Sequence, residues 1–169
     1  MSEDKNEMSR DLIVMIGMSL SGKTYHVDNN YLPGYQLVSF KHLNDALMAS
    51  KMKSPDIIYA TMEMAARSHM IKGLPVVIDE SNITVESLFM WKAITREHGY
   101  NLKGIYLDTP LDVCTARLRY LLPKGEKITE AMHEKLGKEY EQTSEIKEIL
   151  KMKHQSVVDD VIFITYDGG

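Results

Sequence analysis

Five short apolar runs recur along the chain and predict the strands of a buried sheet. Each run is apolar nearly throughout, which is typical of strands covered on both faces. The runs are LIVMI (12–16), YQLVS (35–39), PVVID (75–79), KGIYLD (103–108) and DVIFITY (160–166). Because helical patterns lie between them, we predict an α/β fold in which a parallel sheet has helices on both sides.

Two helices are predicted between the second and fourth runs. Ser54 followed by Pro55 is typical of a helix start, and Gly73 marks the expected end. Thr84 is the expected cap of the next helix, which stops at Gly99. The predicted apolar stripes are Ile58, Met62, Ala65 and Met70 in the first helix and Leu88, Trp91 and Ile94 in the second.

Two further helices are predicted after the fourth run. Thr109-Pro110 opens the first of them, and Asp112 stands three residues after Thr109, as in a near capping box. The second has apolar residues at every fourth position: Ile128, Met132, Leu136 and Tyr140. Ligands of such α/β sheets bind beyond the carboxyl ends of the strands, so the residues that follow each run are the first candidates for a site.

The stretch GMSLSGKT (17–24) directly follows the first run and fits the pattern G-x-x-x-x-G-K-[ST]. Glycines allow the backbone to fold tightly, so that successive N–H groups converge on an anion, and the next helix start adds its free amides. Lys23 can reach the β- and γ-phosphates, and Thr24 supplies a hydroxyl for Mg²⁺. The sequence therefore predicts an ATP site formed by Gly17, Ser19, Leu20, Ser21, Gly22, Lys23 and Thr24.

Two other stretches carry groups that suit phosphate chemistry. The third run ends in VVIDESN, and Asp79 could hold Mg²⁺ or orient an acceptor if this strand lies beside the first. Arg117 and Arg119 could clamp the transferred phosphate, because arginines neutralise the charge that spreads over its oxygens. Residues two apart on a helix do not share a face, so we expect at most one of these arginines to point fully at the nucleotide.

Composition excludes several classes of protein. The chain has 169 residues, a net charge of −4 and a pI of about 5.9, so bulk charge does not indicate a nucleic-acid binder. The only cysteine is Cys114, which precludes an internal disulfide and fits a reducing compartment. The N-terminus lacks an apolar stretch typical of a signal peptide, and no run is long enough for a membrane helix. We expect one cytoplasmic domain over residues 1–169.

These motifs, taken in order, resemble the P-loop kinase domain of bacteriophage-type polynucleotide kinase and its relatives. The D-x-[ST]-N signature of that family falls on Asp79, Ser81 and Asn82, and its C-x-x-R motif falls on Cys114 and Arg117. The resemblance implies a P-loop NTPase fold, a three-layer α/β/α sandwich with a five-stranded parallel sheet and a helical lid at roughly 114–128. It also implies transfer of the ATP γ-phosphate to a hydroxyl, with Asn82 among the substrate-binding residues.

One departure from the family concerns the acceptor. The family has R-D-D-x-x-R after its second strand, with an aspartate that activates the hydroxyl, whereas this chain reads FKHLND (40–45). Lys41 is then a candidate for binding the acceptor. The general base could be Asp45, His42 or Asp79, or none is needed, since phosphoryl transfer depends mostly on positioning and charge stabilisation.

The favoured acceptor at this level is the 5′-hydroxyl end of a nucleic acid. A nucleoside, a nucleotide or another small hydroxyl compound is the alternative, because a fold does not fix its substrate. A third hypothesis is a catalytically degenerate ATP-binding protein, which the missing R-D-D-x-x-R element would explain. The oligomeric state is not predicted.

Overall fold

The computed structural model describes residues 9–47, 54–80 and 83–168. In this part of the chain the strands are β1 (Asp11–Ile16), β2 (Gln36–Ser39), β3 (Val76–Asp79), β4 (Asn101–Asp108) and β5 (Asp160–Thr165). The helices are α1 (Lys23–Asn30), α2 (Phe40–Leu47), α3 (Pro55–Ile71), α4 (Val85–His98), α5 (Leu111–Leu121) and α6 (Glu130–Val157). All five strands are found where the apolar runs predicted them, to within two residues at each end.

The sheet is parallel throughout, and its strand order is β2-β3-β1-β4-β5. β1 therefore lies between β3 and β4, with Val14 paired to Ile78. Ser39 at the end of β2 is paired to Asp79 at the end of β3. This register brings the segment after β1, the end of β3 and the start of α2 together at one edge of the sheet.

Helices cover both faces at the centre of the sheet, as the unbroken apolar runs predicted. The prediction is wrong for the edge strand β5, which has no fully buried residue and leaves Ile162 48% exposed. In β1, Leu12, Val14 and Ile16 pack into a core formed with α3, α4 and α6, while Ile13 and Met15 pack into a second core on the α1 side. Side chains alternate between the two faces of a strand, and helices cover both faces of β1, so both sets are buried. The predicted three-layer α/β/α fold is thus confirmed. No helix in the described ranges is both long and apolar enough to span a bilayer.

The starts of α3 and α4 match their predicted caps. The Ser54 and Thr84 hydroxyls accept hydrogen bonds from the N–H groups of Ile57 and Ser87 at 3.4 and 3.1 Å. Gly99 ends α4 in the left-handed region, with φ 70°. One position of the α3 stripe is wrong, because Ala66 is fully buried and Ala65 only partly buried. Both alanines face the core side of the helix, and the sequence alone did not distinguish them.

The capping box predicted at the start of α5 is wrong. No side chain caps this helix, and Pro110 occupies the N-cap position. The Thr109 hydroxyl instead donates to the Ser21 carbonyl at 2.8 Å. Thr109 is buried next to the loop, so the tertiary contact with the Ser21 carbonyl replaces the local one. The hydrogen bond ties the start of α5 to the segment that follows β1.

The stripe predicted for α6 is also partly wrong. Leu136 is buried, but Tyr140 is 40% exposed, and the buried face continues through Glu139, Ile146 and Leu150. A stripe of every fourth residue drifts around a helix of 3.6 residues per turn, so Tyr140 has turned away from the core. Ile128 of the predicted stripe precedes α6, and the helix has a kink at Lys153, where φ is −144°. Leu136 packs with Met18 and Cys114 in a small third cluster, where the cysteine is fully buried.

Candidate functional site

The segment that joins β1 to the first turn of α1 (17–24) has a backbone that only certain residues can adopt. We call this segment the phosphate loop. A Cβ on Gly17 would lie 2.7 Å from the Ser21 hydroxyl oxygen, so any side chain here would force Ser21 to move. Gly22 caps α1 with φ 100°. Leu20 has φ 67°, which costs a side-chain-bearing residue roughly 1–2 kcal/mol. A strained turn directly before a helix start is the arrangement that converges backbone amides on an anion.

Lys23 lies inside this loop. Its ammonium group donates to the carbonyls of Gly17 and Met18 at 2.7 and 2.9 Å, and the residue is 8% exposed. Burial lowers the pKa of Lys23, while the carboxylates of Asp79 and Glu139 act in the opposite direction. The cation is thus held at the centre of the loop by carbonyl oxygens of the loop itself.

Thr24 and Asp79, both predicted as metal ligands, are in contact. The Thr24 hydroxyl donates to Asp79 Oδ2 at 2.8 Å, and this bond joins the start of α1 to the end of β3. A hydroxyl and a carboxylate are oxygen ligands, which is the type that Mg²⁺ prefers. Among the described residues there is no group of three or more His, Cys, Asp or Glu side chains that could enclose a metal. The donor set therefore fits an ion that keeps waters and substrate oxygens as its other ligands. Asn82 and Ser81 lie outside the described residues.

The two arginines of α5 are placed differently. Arg117 Nη1 donates to the Leu20 carbonyl at 2.7 Å, and its guanidinium lies 5.8 Å from the centre of the Tyr166 ring. Arg119 is exposed and lines none of the cavities described below. The structure thus brings Arg117 to the phosphate loop and leaves Arg119 in solvent.

A cavity of about 450 Å³ opens beside the loop and reaches the start of α2. From α2 it includes Lys41 and Asn44, but the exposed His42 and Asp45 do not line it. Asp45 instead lies 3.8 Å from the Lys41 ammonium, in a pair that is largely exposed on both sides. The residues that line this cavity are Ser19, Leu20, Gly22, Lys23, Thr24, Tyr25, Phe40, Lys41, Asn44 and Asp79.

A second cavity, of about 860 Å³, lies on the α5 side of the same loop. Aromatic rings and a guanidinium face it, which is a surface that can stack on a planar base. Its lining consists of Leu20, Gly22, Tyr25, Val113, Ala116, Arg117, Tyr120, Leu121 and Tyr166. The phosphate loop therefore separates two cavities, and Leu20, Gly22 and Tyr25 contribute to both.

The sequence did not reveal two acidic residues near the loop. Glu80 is 1% exposed, and burial raises its pKa to about 7, although the Tyr59 hydroxyl donates to it. Glu139 of α6 accepts hydrogen bonds from Ser19. A signal for Glu80 existed, because it directly follows a buried strand. No local pattern marks Glu139, which stands among many charged residues 120 positions from its partner.

A glycine-containing loop that joins a central parallel strand to a helix, with Lys23 and Thr24 at its end, defines a P-loop NTPase domain. The chain belongs to the AAA domain family (AAA_33), whose match covers residues 12–143.

Comparison with curated proteins gives a distant relative. Over 102 residues the chain is 29% identical to a protein of Acanthamoeba polyphaga mimivirus named as a bifunctional polynucleotide phosphatase/kinase. The match covers 60% of this chain and 21% of that protein, so the chain spans about a fifth of the curated relative.

Two solved structures share the fold. A chain of the Pnkp1/Rnl/Hen1 RNA repair complex aligns with a TM-score of 0.64 at 17% identity, over 86% of this chain and 49% of that one. A sugar kinase from a Janibacter species aligns with a TM-score of 0.53 at 17% identity, over 93% and 85%. At these identities the likeness is one of fold.

Proposed function

We propose that this domain is an ATP- and Mg²⁺-dependent kinase that transfers the γ-phosphate to a hydroxyl acceptor. The observation that supports the proposal most is the hydrogen bond between Thr24 and Asp79, because both residues line the 450 Å³ cavity together with Lys23. Phosphates and acceptor would then share one space. The family membership and the kinases named among the relatives support the same reaction class.

In this reaction the acceptor oxygen forms a bond to the γ-phosphorus, the bond to the bridging oxygen breaks, and ADP leaves. The amides of the phosphate loop and Lys23 would hold the β- and γ-phosphates, and Thr24 and Asp79 would hold Mg²⁺, which neutralises phosphate charge when bound. Arg117, in the proposed lid at 114–128, would turn from the Leu20 carbonyl to the transferred group, where charge is most spread out.

The proton of the acceptor must go to a base or to water. Among Asp79, His42 and Asp45, support is greatest for Asp79, because it alone lines the cavity beside the phosphate loop. His42 and Asp45 face solvent on α2, and a substrate would have to extend past Lys41 to reach them. We therefore propose that Asp79 orients or deprotonates the hydroxyl.

We propose the 5′-hydroxyl end of a nucleic acid as the acceptor. Lys41 and Asn44 line the cavity and could contact a phosphate next to the reacting sugar, and the mimivirus relative is named for polynucleotides. A small hydroxyl compound, such as a nucleoside, nucleotide or sugar, is the second candidate. The volume of about 450 Å³ favours it, since this space accommodates a single small molecule.

A panel assay tests these alternatives. ATP labelled at the γ-phosphate is incubated with 5′-hydroxyl oligonucleotides, nucleosides, nucleotides or sugars, and the labelled product is identified. A steep fall of oligonucleotide binding with salt is expected for a nucleic-acid acceptor and not for a small neutral one. Lys23→Ala is the control and should abolish transfer while the circular dichroism spectrum stays unchanged.

Two results would contradict the proposal. Unchanged phosphate transfer by Lys23→Ala would remove the phosphate loop from the reaction. ATP binding without transfer to any member of the panel would favour a catalytically degenerate ATP-binding protein, in keeping with FKHLND at 40–45.

We also propose a cytoplasmic location, because the chain has one cysteine and that cysteine is buried.

A further inference from the structure

Glu139 of α6 binds the phosphate loop with both of its carboxylate oxygens. The Ser19 N–H donates to Oε2 at 3.2 Å, and the Ser19 hydroxyl donates to Oε1 at 3.0 Å. Glu139 is only 6% exposed, although it stands on a helix whose other glutamates, at 130, 134, 141, 145 and 148, are exposed. A buried carboxylate thus occupies a backbone donor of the loop that is expected to bind phosphate.

The charge of Glu139 acts on the same space as a nucleotide. Its carboxylate is close enough to Lys23 to oppose the lowering of the lysine pKa by burial. Ser19 also lines the 450 Å³ cavity together with Lys23 and Thr24. Phosphates bound there would lie near the negative charge of the Glu139 carboxylate. Because that carboxylate is buried, little water screens its repulsion of the phosphates.

We propose that Glu139 is a carboxylate placeholder, which binds the Ser19 amide in competition with nucleotide and must leave it when a nucleoside triphosphate binds. The proposal rests on the proposed function, in that the loop takes a nucleotide. Glu139 touches no reacting atom and is a positioning residue that acts through Ser19. Its presence lowers nucleotide affinity and makes nucleotide binding depend on the position of α6.

The structure shows how such a movement would reach the rest of the protein. Three residues before Glu139, Leu136 packs against Met18 of the loop and Cys114 of α5. Arg117 of α5 donates to Leu20, the residue next to Ser19. Withdrawal of Glu139 would therefore loosen α6 and α5 at the same place, and Arg117 could then leave the Leu20 carbonyl.

The test is the affinity of Glu139→Gln for the non-hydrolysable analogue AMP-PNP with Mg²⁺, measured by calorimetry without acceptor. Glutamine keeps the shape and an acceptor oxygen but removes the charge. We expect the variant to bind the analogue at least threefold more tightly than the wild type. Equal or weaker binding by a variant with a wild-type circular dichroism spectrum would show that Glu139 only supports the loop, and would overturn the proposal.

Glu141→Gln is the matched control. It lies on the same helix, is exposed and changes the net charge by the same amount. We expect its affinity for AMP-PNP to equal that of the wild type. A gain as large as that of Glu139→Gln would mean that total charge, not the contact with Ser19, sets the affinity, and this result would also overturn the placeholder.

A crystal structure of the wild type with AMP-PNP and Mg²⁺ tests the proposal even if Glu139→Gln does not fold. We expect both Glu139 oxygens to lie beyond hydrogen-bond distance of the Ser19 nitrogen. A retained contact in the occupied loop would overturn the proposal. If the wild type bound no nucleotide at all, the proposed function would fail as well, whereas binding with a retained contact would leave that function standing.

Discussion

At the scale of single residues, the sequence predicted the phosphate loop but not all of its contacts. The spacing of Gly17, Gly22, Lys23 and Thr24 is a local pattern, because the loop needs particular residues at fixed positions. The contact between Ser19 and Glu139 joins residues 120 positions apart, and no local pattern encodes it. The roles of all the predicted site residues stay predictions, and Asn82 also lies outside the described residues.

Glu80 gives a prediction about pH. In the unfolded chain its carboxyl ionises near the ordinary value of 4.5, whereas burial raises the pKa to about 7 in the fold. Between these values the folded state holds a proton that the unfolded state has lost, so the free energy of unfolding should fall as pH rises from about 4.5 to 7. The full loss is on the order of 3 kcal/mol.

Urea denaturation at several pH values between 5 and 8 measures this effect. Glu80→Gln should flatten the fall, because glutamine does not titrate, and the variant should gain on the wild type toward pH 8. Glu141→Gln, at an exposed position, is the control and should keep the slope of the wild type. A wild-type slope in Glu80→Gln would mean that another group causes the pH dependence.

At the scale of elements, the strands were predictable, whereas the buried face of the longest helix was not. Runs such as LIVMI are buried on both faces, so composition alone indicates them. The face that α6 buries depends on where its 28 residues meet α4, α5 and the sheet, which local spacing does not contain. The capping box predicted at the start of α5 is wrong for a related reason, because the Thr109 hydroxyl donates to the distant Ser21 carbonyl.

The placement of the α5 arginines predicts different kinetic effects. Arg117→Ala should lower kcat more than ATP affinity, because Arg117 is proposed to meet the phosphate mainly during transfer. Arg119→Ala should change both by little, since Arg119 is exposed. Steady-state kinetics and AMP-PNP binding separate the two quantities. Equal losses of kcat and affinity in Arg117→Ala would argue against a role in the transition state.

The interior of α6 offers a stability prediction. A Cβ on Gly137 would meet no other atom within 4 Å, and glycine is a poor helix former. Gly137→Ala should therefore raise the free energy of unfolding by about 1 kcal/mol. Gly17→Ala is the contrasting variant, because its Cβ would lie 2.7 Å from the Ser21 oxygen, and it should weaken nucleotide binding. Both values follow from urea denaturation and calorimetry, and a destabilised Gly137→Ala would contradict the argument.

At the scale of the whole molecule, the sequence predicted a five-stranded parallel sheet between helical layers but not its strand order. The order β2-β3-β1-β4-β5 depends on pairings between distant segments. The neighbourhood of β1 and β3 was a condition for placing Asp79 at the loop, and the observed register meets it. The 5′-hydroxyl acceptor stays a prediction, because this chain lacks the R-D-D-x-x-R element that would have indicated it directly.

Nucleotide binding should stabilise the entire domain, because the loop is attached to β1 at the centre of the sheet. At a concentration 100 times the dissociation constant, ADP with Mg²⁺ should raise the free energy of unfolding by about 2.7 kcal/mol. Thermal denaturation with increasing ADP measures this. Lys23→Ala should lose most of the gain, and an equal gain in this variant would place the nucleotide elsewhere.

The hydrogen bond from Thr109 to Ser21 determines how α5 can move. Arg117 stands eight residues further on, about 12 Å along a helix axis. Because this contact holds the residue before the N-cap of α5 against the phosphate loop, a tilt of the helix by about 10° around that end would carry the guanidinium roughly 2 Å. The buried Thr109 hydroxyl would thus act as the fixed point around which Arg117 moves in a short arc beside the phosphate loop.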